Sequence, residues 1–169
     1  MSEVIRIADI NDFQKVKEIT HTTIKTVYPR YYPAGTVQFF LNHHSDEKIL
    51  SDIKEGKVYL LISNNEPAGT VTLSGNEIDR LFVLPKYQKK GYGTKLIDFA
   101  EEAIGKEYDI IILDASLVAK KMYLKRGFET VKYDTLETPG GDYICYDSMK
   151  KNSQNKTRKE KLGKKPVHF

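Results

Sequence analysis

The chain has 169 residues, 40% of them apolar and 11% aromatic, enough to bury one proper core, so a single domain is expected. It holds no apolar run of about 18 residues, and Met1-Ser2-Glu3-Val4 is not a basic segment leading into an apolar one; a cytoplasmic protein with no membrane partner is the expectation. Cys145 is the only cysteine, which excludes a disulfide framework or a thiolate metal cluster within one chain, and the net charge of +4 conceals a division, since residues 1–149 carry 19 basic and 22 acidic residues while residues 150–169 carry eight basic residues against Glu160 alone.

Val4-Ile5-Arg6-Ile7 alternates as a first strand does, and Asp9 or Asn11 is placed to cap the helix that follows, with Phe13, Val16, Ile19, Ile24 and Val27 on its apolar face. Pro29 ends that helix. Tyr28-Pro29-Arg30-Tyr31-Tyr32-Pro33 is an aromatic loop that either overhangs a substrate site or packs beneath a pair of helices. Helical pieces are expected at 36–41 and 46–54. Lys57–Ser63 and Ala68–Leu73 read as a hairpin around Asn64-Asn65-Glu66-Pro67, and Glu77–Leu84 supplies the next strand. A helix is expected from Thr94 to Glu107, with Leu96, Ile97, Phe99, Ala100, Ala103 and Ile104 on its apolar face. Asp109–Asp114 is almost continuously apolar at its centre, as in a strand buried on both faces. Ser116 is placed to cap a helix through Lys125, and Gly127 stands where a left-handed helix-ending residue belongs. Phe128–Tyr133 and Asp142–Met149 close the sheet around Thr138-Pro139-Gly140-Gly141. The basic segment after residue 149 lacks apolar periodicity and is expected to be a disordered tail whose charge gives only nonspecific attraction, with no specific nucleic-acid partner. The predicted domain therefore spans residues 1–149.

The most informative segment is Gln88-Lys89-Lys90-Gly91-Tyr92-Gly93-Thr94, a basic, glycine-spaced turn between a strand and a helix. A helix start presents four backbone N–H groups without intrahelical partners and roughly half a positive charge, which together favour a pyrophosphate. Gly91 and Gly93 allow close backbone approach, Lys89 and Lys90 add charge, and Gln88 offers a side-chain donor. An ordinary surface turn opening a helix uses similar residues. A Walker loop needs G-x-x-x-x-G-K-[ST], which does not occur, and the dinucleotide fingerprint needs a glycine where Leu96 stands.

These residues resemble the Q/R-x-x-G-x-G/A pyrophosphate loop of the GNAT superfamily of N-acetyltransferases, and a second segment agrees. Ser116, Ala119, Tyr123, Gly127 and Phe128 have the spacing of that superfamily's N-x-x-A-x-x-x-Y-x-x-x-G-F segment, with Ser116 where asparagine is commoner. The resemblance implies an α/β (α+β) fold with a mixed, mostly antiparallel central sheet flanked by helices, and transfer of acetyl from acetyl-CoA to a primary amine. It places the cofactor against Phe82 and Val83 at the end of a splayed strand, against the turn residues Gln88 through Thr94, including Tyr92, and against Ser116, Ala119 and Tyr123. Serine in place of asparagine shortens the reach to the pantetheine arm at that position.

Acetyl transfer needs a base for the amine proton, a donor for the tetrahedral oxyanion and a donor for the leaving thiolate. Tyr123 lies seven residues after Ser116, about two helical turns, so both are expected on one face; a phenol with a reference pKa near ~10 stays protonated at neutral pH and suits the thiolate. Glu77 stands where the histone-acetyltransferase branch of the resembled family carries its general base. Asp79, two residues on, is expected on the same side of the strand and is the runner-up. His43 and His44 are read as surface residues, and no metal is expected. The acidic domain favours a cationic small-molecule amine, with protein amines, longer acyl groups and a noncatalytic acyl-CoA-binding module as alternatives, in a monomer or homodimer.

Overall fold

In chain order, the computed structural model describes residues 2–163 as β1 (Glu3–Ile7), α1 (Phe13–Val27), α2 (Ala34–His43), α3 (Asp46–Lys54), β2 (Val58–Ser63), β3 (Glu66–Ser74), β4 (Glu77–Val83), α4 (Tyr92–Gly105), β5 (Ile110–Ala115), α5 (Lys120–Lys125), β6 (Glu129–Glu137), β7 (Tyr143–Asn152) and α6 (Gln154–Gly163). The strands form one sheet in the order β1-β2-β3-β4-β5-β7-β6. Every pairing is antiparallel except that of β4 with β5.

Turn chemistry fixes much of this. Asn64 and Asn65 have φ of 50° and 66°, the positive values that match a two-residue turn to the twist of its strands and that asparagine tolerates. α1 starts after Asp12, whose carboxylate accepts from Arg6 at 2.7 Å and 2.9 Å and from Lys15 at 3.0 Å. These partners hold the Asp12 carboxyl well below the usual carboxylate range, the Arg6 hydrogen bonds contributing most.

Apolar residues fill both faces of the sheet. On one, Leu61, Val71, Ile78, Ile111 and Leu113 pack against Leu96, Ile97, Ala100 and Ile104 of α4. On the other, Val58, Leu60 and Phe82 meet Val16, Ile19 and Ile24 of α1 and Ile49 and Ile53 of α3. β2 supplies both clusters because successive side chains point to opposite faces. The aromatic loop joins the second cluster: Tyr28 packs edge-on against Phe40 with ring centres 4.9 Å apart, and the Tyr32 hydroxyl accepts from the Leu117 N–H at 2.8 Å.

One charged pair lies inside the molecule. Asp52 of α3 and Arg80 of β4 are each 1% exposed at the side chain and form an ion pair; Arg80 also donates to Thr72 at 3.3 Å, and Lys48 donates to Asp52 at 3.0 Å. Removing one partner strands the other charge in a region of low dielectric. Asp52→Ala should therefore cost about 3–5 kcal/mol, read as a lowered urea midpoint with an unchanged slope.

The structure differs from the sequence reading at several points. β5 is buried on one face only: Ile111, Leu113 and Ala115 are covered, whereas Ile112 and Asp114 are exposed. β7 runs to Asn152, past the expected boundary, because its last residues pair with Ile110–Ile112 of β5. Residues 154–163 are helical where a disordered tail is expected. The Ser153 hydroxyl accepts from the Lys156 N–H at 3.4 Å, and Lys159 donates to Asp109 at 3.0 Å, so local capping and one ion pair to the residue preceding β5 stand in for an apolar face. The rest of the expected tail, 164–169, lies outside the described residues.

Candidate active site

The sheet opens between β4 and β5. Their one cross-strand pair is Glu77 with Ile112, next to which the Ile112 N–H donates to Asn76 at 3.0 Å and the Asn76 side chain donates to the Ile110 carbonyl at 3.0 Å. Beyond this clasp the strands part. Gly69 pairs with Val83, Thr70 with Phe82 and Thr72 with Arg80, while the Leu84 N–H donates to Ala68 at 2.9 Å. By antiparallel alternation, Phe82 and Arg80 spend their backbone groups on β3, and Leu81 and Val83 turn theirs toward the gap. The Val83 carbonyl accepts from Thr23 at 3.2 Å and from the Gln88 side chain at 3.0 Å, leaving the Val83 N–H and the Leu81 groups facing the opening.

At the end of β4, Pro85–Tyr87 form a short 3-10 turn that leads into the glycine-spaced segment. Lys89 and Gly91 have φ of 60° and 86°, which curls the chain so that α4 starts at Tyr92, two residues before the predicted Thr94. The first intrahelical bond is Lys95 N–H to Gly91 at 3.1 Å, so the N–H groups of Tyr92, Gly93 and Thr94 have no intrahelical partner. A Cβ built on Gly91 would meet nothing within 4 Å; open space lies outside that backbone. Lys89, Lys90 and Thr94 are exposed, and the Lys90 amine lies 5.6 Å from the Tyr87 ring centre. The Tyr92 side chain is committed elsewhere, buried with its hydroxyl 2.7 Å from that of Ser63, so only its backbone faces the turn.

Alongside the split, a cavity of about 390 Å³ is walled by Phe39, Phe40 and His43 on one side and Leu136, Ile144 and Tyr146 on the other. Glu77, Asp79 and Asp114 line it from β4 and β5, and Ser116, Ala119 and Tyr123 from the segment that follows. Burial first, then the charges of Asp79 and Asp114, raises the Glu77 carboxyl above its ordinary value. Burial also raises the Tyr123 phenol, with a smaller push from Tyr28. Tyr28, from the aromatic loop, lines the same cavity, and its phenol is pushed up to about 12, chiefly by burial and against a lowering contact with Ser116.

Several sequence expectations need correction here. Phe82 is not placed to offer backbone groups to a ligand in the split, since β3 takes them; Leu81 is, and knowing the β3–β4 register would have identified it. Ser116 does not cap α5 through its hydroxyl: its carbonyl accepts from the Ala119 and Lys120 N–H groups at 3.1 Å and 3.0 Å, and α5 starts only at Lys120. Ser116 and Tyr123 therefore meet at the cavity through a turn, not along one helix face. Glu77 and Asp79 share the cavity, but not by simple alternation. The partner of β3 jumps from Arg80 to Ile78 across one step, Thr72 to Leu73, so Asp79 is the extra residue of a β-bulge. His44 is buried, not at the surface, packed edge-on against Phe82. Asp114, expected only as the end of a buried strand, is exposed and lines the cavity. Among the described residues no group of three or more His, Cys, Asp or Glu side chains is placed to hold a metal ion, and no helix is long and apolar enough to cross a membrane.

A sheet split between its one parallel pair of strands, with a glycine-turned helix start at the end of the first, is the frame that the resemblance to the GNAT superfamily implies. The acetyltransferase (GNAT) domain family matches residues 27–152, and the chain belongs to that family. It is an N-acetyltransferase. Across 136 residues, 80% of this chain and 87% of the relative, it is 25% identical to the uncharacterized N-acetyltransferase YafP of Escherichia coli. Its fold is similar to that of a GCN5-related N-acetyltransferase from Rhodopseudomonas palustris, with a TM-score of 0.81 at 22% identity, covering 90% of this chain and 96% of the other. It is also similar to the PaiA N-acetyltransferase of Thermoplasma acidophilum, solved in complex with coenzyme A, with a TM-score of 0.66 at 23% identity over 90% and 99% of the two chains.

Proposed function

We propose that this N-acetyltransferase moves acetyl from acetyl-CoA to the primary amine of a small cationic molecule by direct attack on the thioester, with Glu77 as base and Tyr123 as donor to the leaving sulfur. The observation that carries this reading is the convergence of Glu77, Asp79 and Asp114 with Tyr123 on one cavity beside the β4–β5 split. A cavity of about 390 Å³ with aromatic walls suits a small molecule, and its three carboxylates favour a cation. Arg80 also lines the cavity, and its ion pair with Asp52 balances its charge.

Acetyl-CoA supplies an acyl group already activated as a thioester, and the residues present fit it. The unpartnered N–H groups of Tyr92, Gly93 and Thr94 suit the pyrophosphate, aided by the charge of Lys89 and Lys90. Gln88 locks the strand end through its bond to the Val83 carbonyl, and the parting of β4 from β5 leaves the Val83 N–H free for the pantetheine arm. The Leu81 N–H is the candidate oxyanion donor. Ala119 leaves room for the arm, and Ser116, in contact with Tyr28, offers a hydroxyl to it.

As the amine nitrogen bonds to the acetyl carbon and the carbon–sulfur bond breaks, the amine proton passes to Glu77. Tyr123 stabilises the sulfur by hydrogen bonding. With its pKa raised by burial, full transfer of its proton to a thiolate, whose conjugate acid has a reference pKa near ~8.5, is uphill, so the thiolate departs with the phenol still protonated. Tyr123→Phe should lower kcat about tenfold, the scale of one hydrogen bond to a charged atom, and leave the Kd of coenzyme A unchanged; an unaltered kcat would remove Tyr123 from the chemistry. The reading as a whole is tested by thiol release from acetyl-CoA, corrected for hydrolysis, across a panel of small amines and lysine peptides. Acceptor-dependent release with small amines is expected, whereas tight coenzyme A binding without turnover on any acceptor would indicate a binding module.

A further inference from the structure

His44 closes α2 with its backbone held from both sides. Its N–H donates to the Phe40 carbonyl at 3.0 Å, and its own carbonyl lies 2.7 Å from the His21 ring nitrogen. The residue is 7% exposed. Its ring stands edge-on to Phe82, with centres 5.6 Å apart, and to His43, with centres 4.9 Å apart. No hydrogen bond joins the ring nitrogens to a described residue, and His44 lines the cavity that also holds Glu77 and Tyr123. Buried polar atoms are almost always paired, so the partner of this imidazole comes from the contents of the cavity.

The ring's surroundings decide its protonation state. Burial, the largest influence, lowers the His44 pKa to about 2, followed by the charges of Arg80 on β4, His43 on α2, His21 on α1 and Lys48 on α3. A neutral imidazole keeps a lone pair on one nitrogen and a proton on the other. An imidazolium would repel a cationic acceptor; a lone pair attracts it.

Resting on the acetyl-transfer reading above, we propose that His44 holds the acceptor as a neutral imidazole, its unprotonated nitrogen accepting a hydrogen bond from the acceptor amine while Glu77 takes the proton. His44 thereby aims the nitrogen lone pair at the acetyl carbon. It does not serve as the base, because burial and then the cations around it oppose protonation.

The test uses the full chain with phenethylamine and 1,4-diaminobutane as probe acceptors. His44→Phe keeps the ring against Phe82 but removes both polar atoms, and His44→Gln keeps a donor and an acceptor. For His44→Phe, KM for the amine should rise about tenfold, the loss of one hydrogen bond to an amine. The Kd of coenzyme A and the acid limb of the pH profile should be retained, and His44→Gln should recover most of the loss. An unchanged amine KM in His44→Phe would overturn the proposal. Loss of the acid limb would overturn it by making His44 the base, and equal damage in both variants with lowered melting temperatures would reduce it to packing. If the wild-type protein binds coenzyme A but acetylates neither probe, the transfer reading fails for these amines, and the His44 contact is then judged separately by the ring-nitrogen chemical shifts: movement on titration with the same amines supports the contact, and no movement sinks it.

Discussion

Replacing Gly91 by glutamate should raise the Kd of coenzyme A at least 100-fold while leaving the protein folded. Two costs combine. Gly91 has φ of 86°, and holding a residue with a Cβ in the left-handed region costs about 1–3 kcal/mol. A carboxylate at the helix start would also oppose the pyrophosphate that the N–H groups of Tyr92, Gly93 and Thr94 are placed to bind. The built Cβ meets nothing within 4 Å, so internal collision is not part of the effect. Gly91→Ala isolates the backbone cost and should weaken binding by about tenfold, on the scale of 1.4 kcal/mol per decade, leaving the larger part of the glutamate effect to charge and reach. Calorimetric titration of the two variants measures both. Wild-type affinity in Gly91→Glu would move the pyrophosphate away from this turn.

That turn was legible in the sequence because its constraint is local. Positive φ at Gly91 and Gly127 is written directly as glycine, and the apolar run of β4 followed by Pro85 marks the strand end without reference to any other segment. The cavity was less legible, since it is made by what neighbouring strands do not do. Ile110-Ile111-Ile112-Leu113 has the composition of a doubly covered strand, yet Ile112 and Asp114 are exposed: the apolar cluster on their face holds no β5 residue, and β4 departs from β5 beyond Glu77. No count along one strand reveals that departure. The bulge at Asp79 hides in the same way: it appears only when the partner register of β3 is known. His44, beside another histidine and just before Ser45, which caps α3 by accepting from the Lys48 N–H at 3.2 Å, has the context of a surface loop residue; tertiary packing of α2 over Phe82 buries it. Tyr28 and Tyr32 answer the question left open for the aromatic loop in both senses, since they pack under α2 and Tyr28 also lines the cavity.

Glu77→Gln should lower kcat/KM by about 10²–10⁴, the usual contribution of a positioned base, and should remove the acid limb of the pH profile. Burial, Asp79 and Asp114 raise the Glu77 carboxyl, so in the wild-type protein activity is present above that raised value and falls as pH drops through it, at a higher pH than the reference of ~4.3 for glutamate would give. Asp114→Asn removes one like charge and should move the limb to lower pH; burial, the leading cause, would keep it above the reference value. Stability runs in the opposite direction. A carboxyl whose folded pKa is raised contributes stability below its unfolded pKa, and that contribution is lost as pH rises through the folded value. At neutral pH the ionised Glu77 therefore opposes folding, and Glu77→Gln should melt no lower than wild type. Loss of rate without loss of melting temperature is what a catalytic base, as distinct from a structural carboxylate, requires. Asp79→Asn is the control within the same cavity. If it abolishes the acid limb and Glu77→Gln spares it, the bulge residue is the base, and the clasp residue Glu77 serves only to hold the cation.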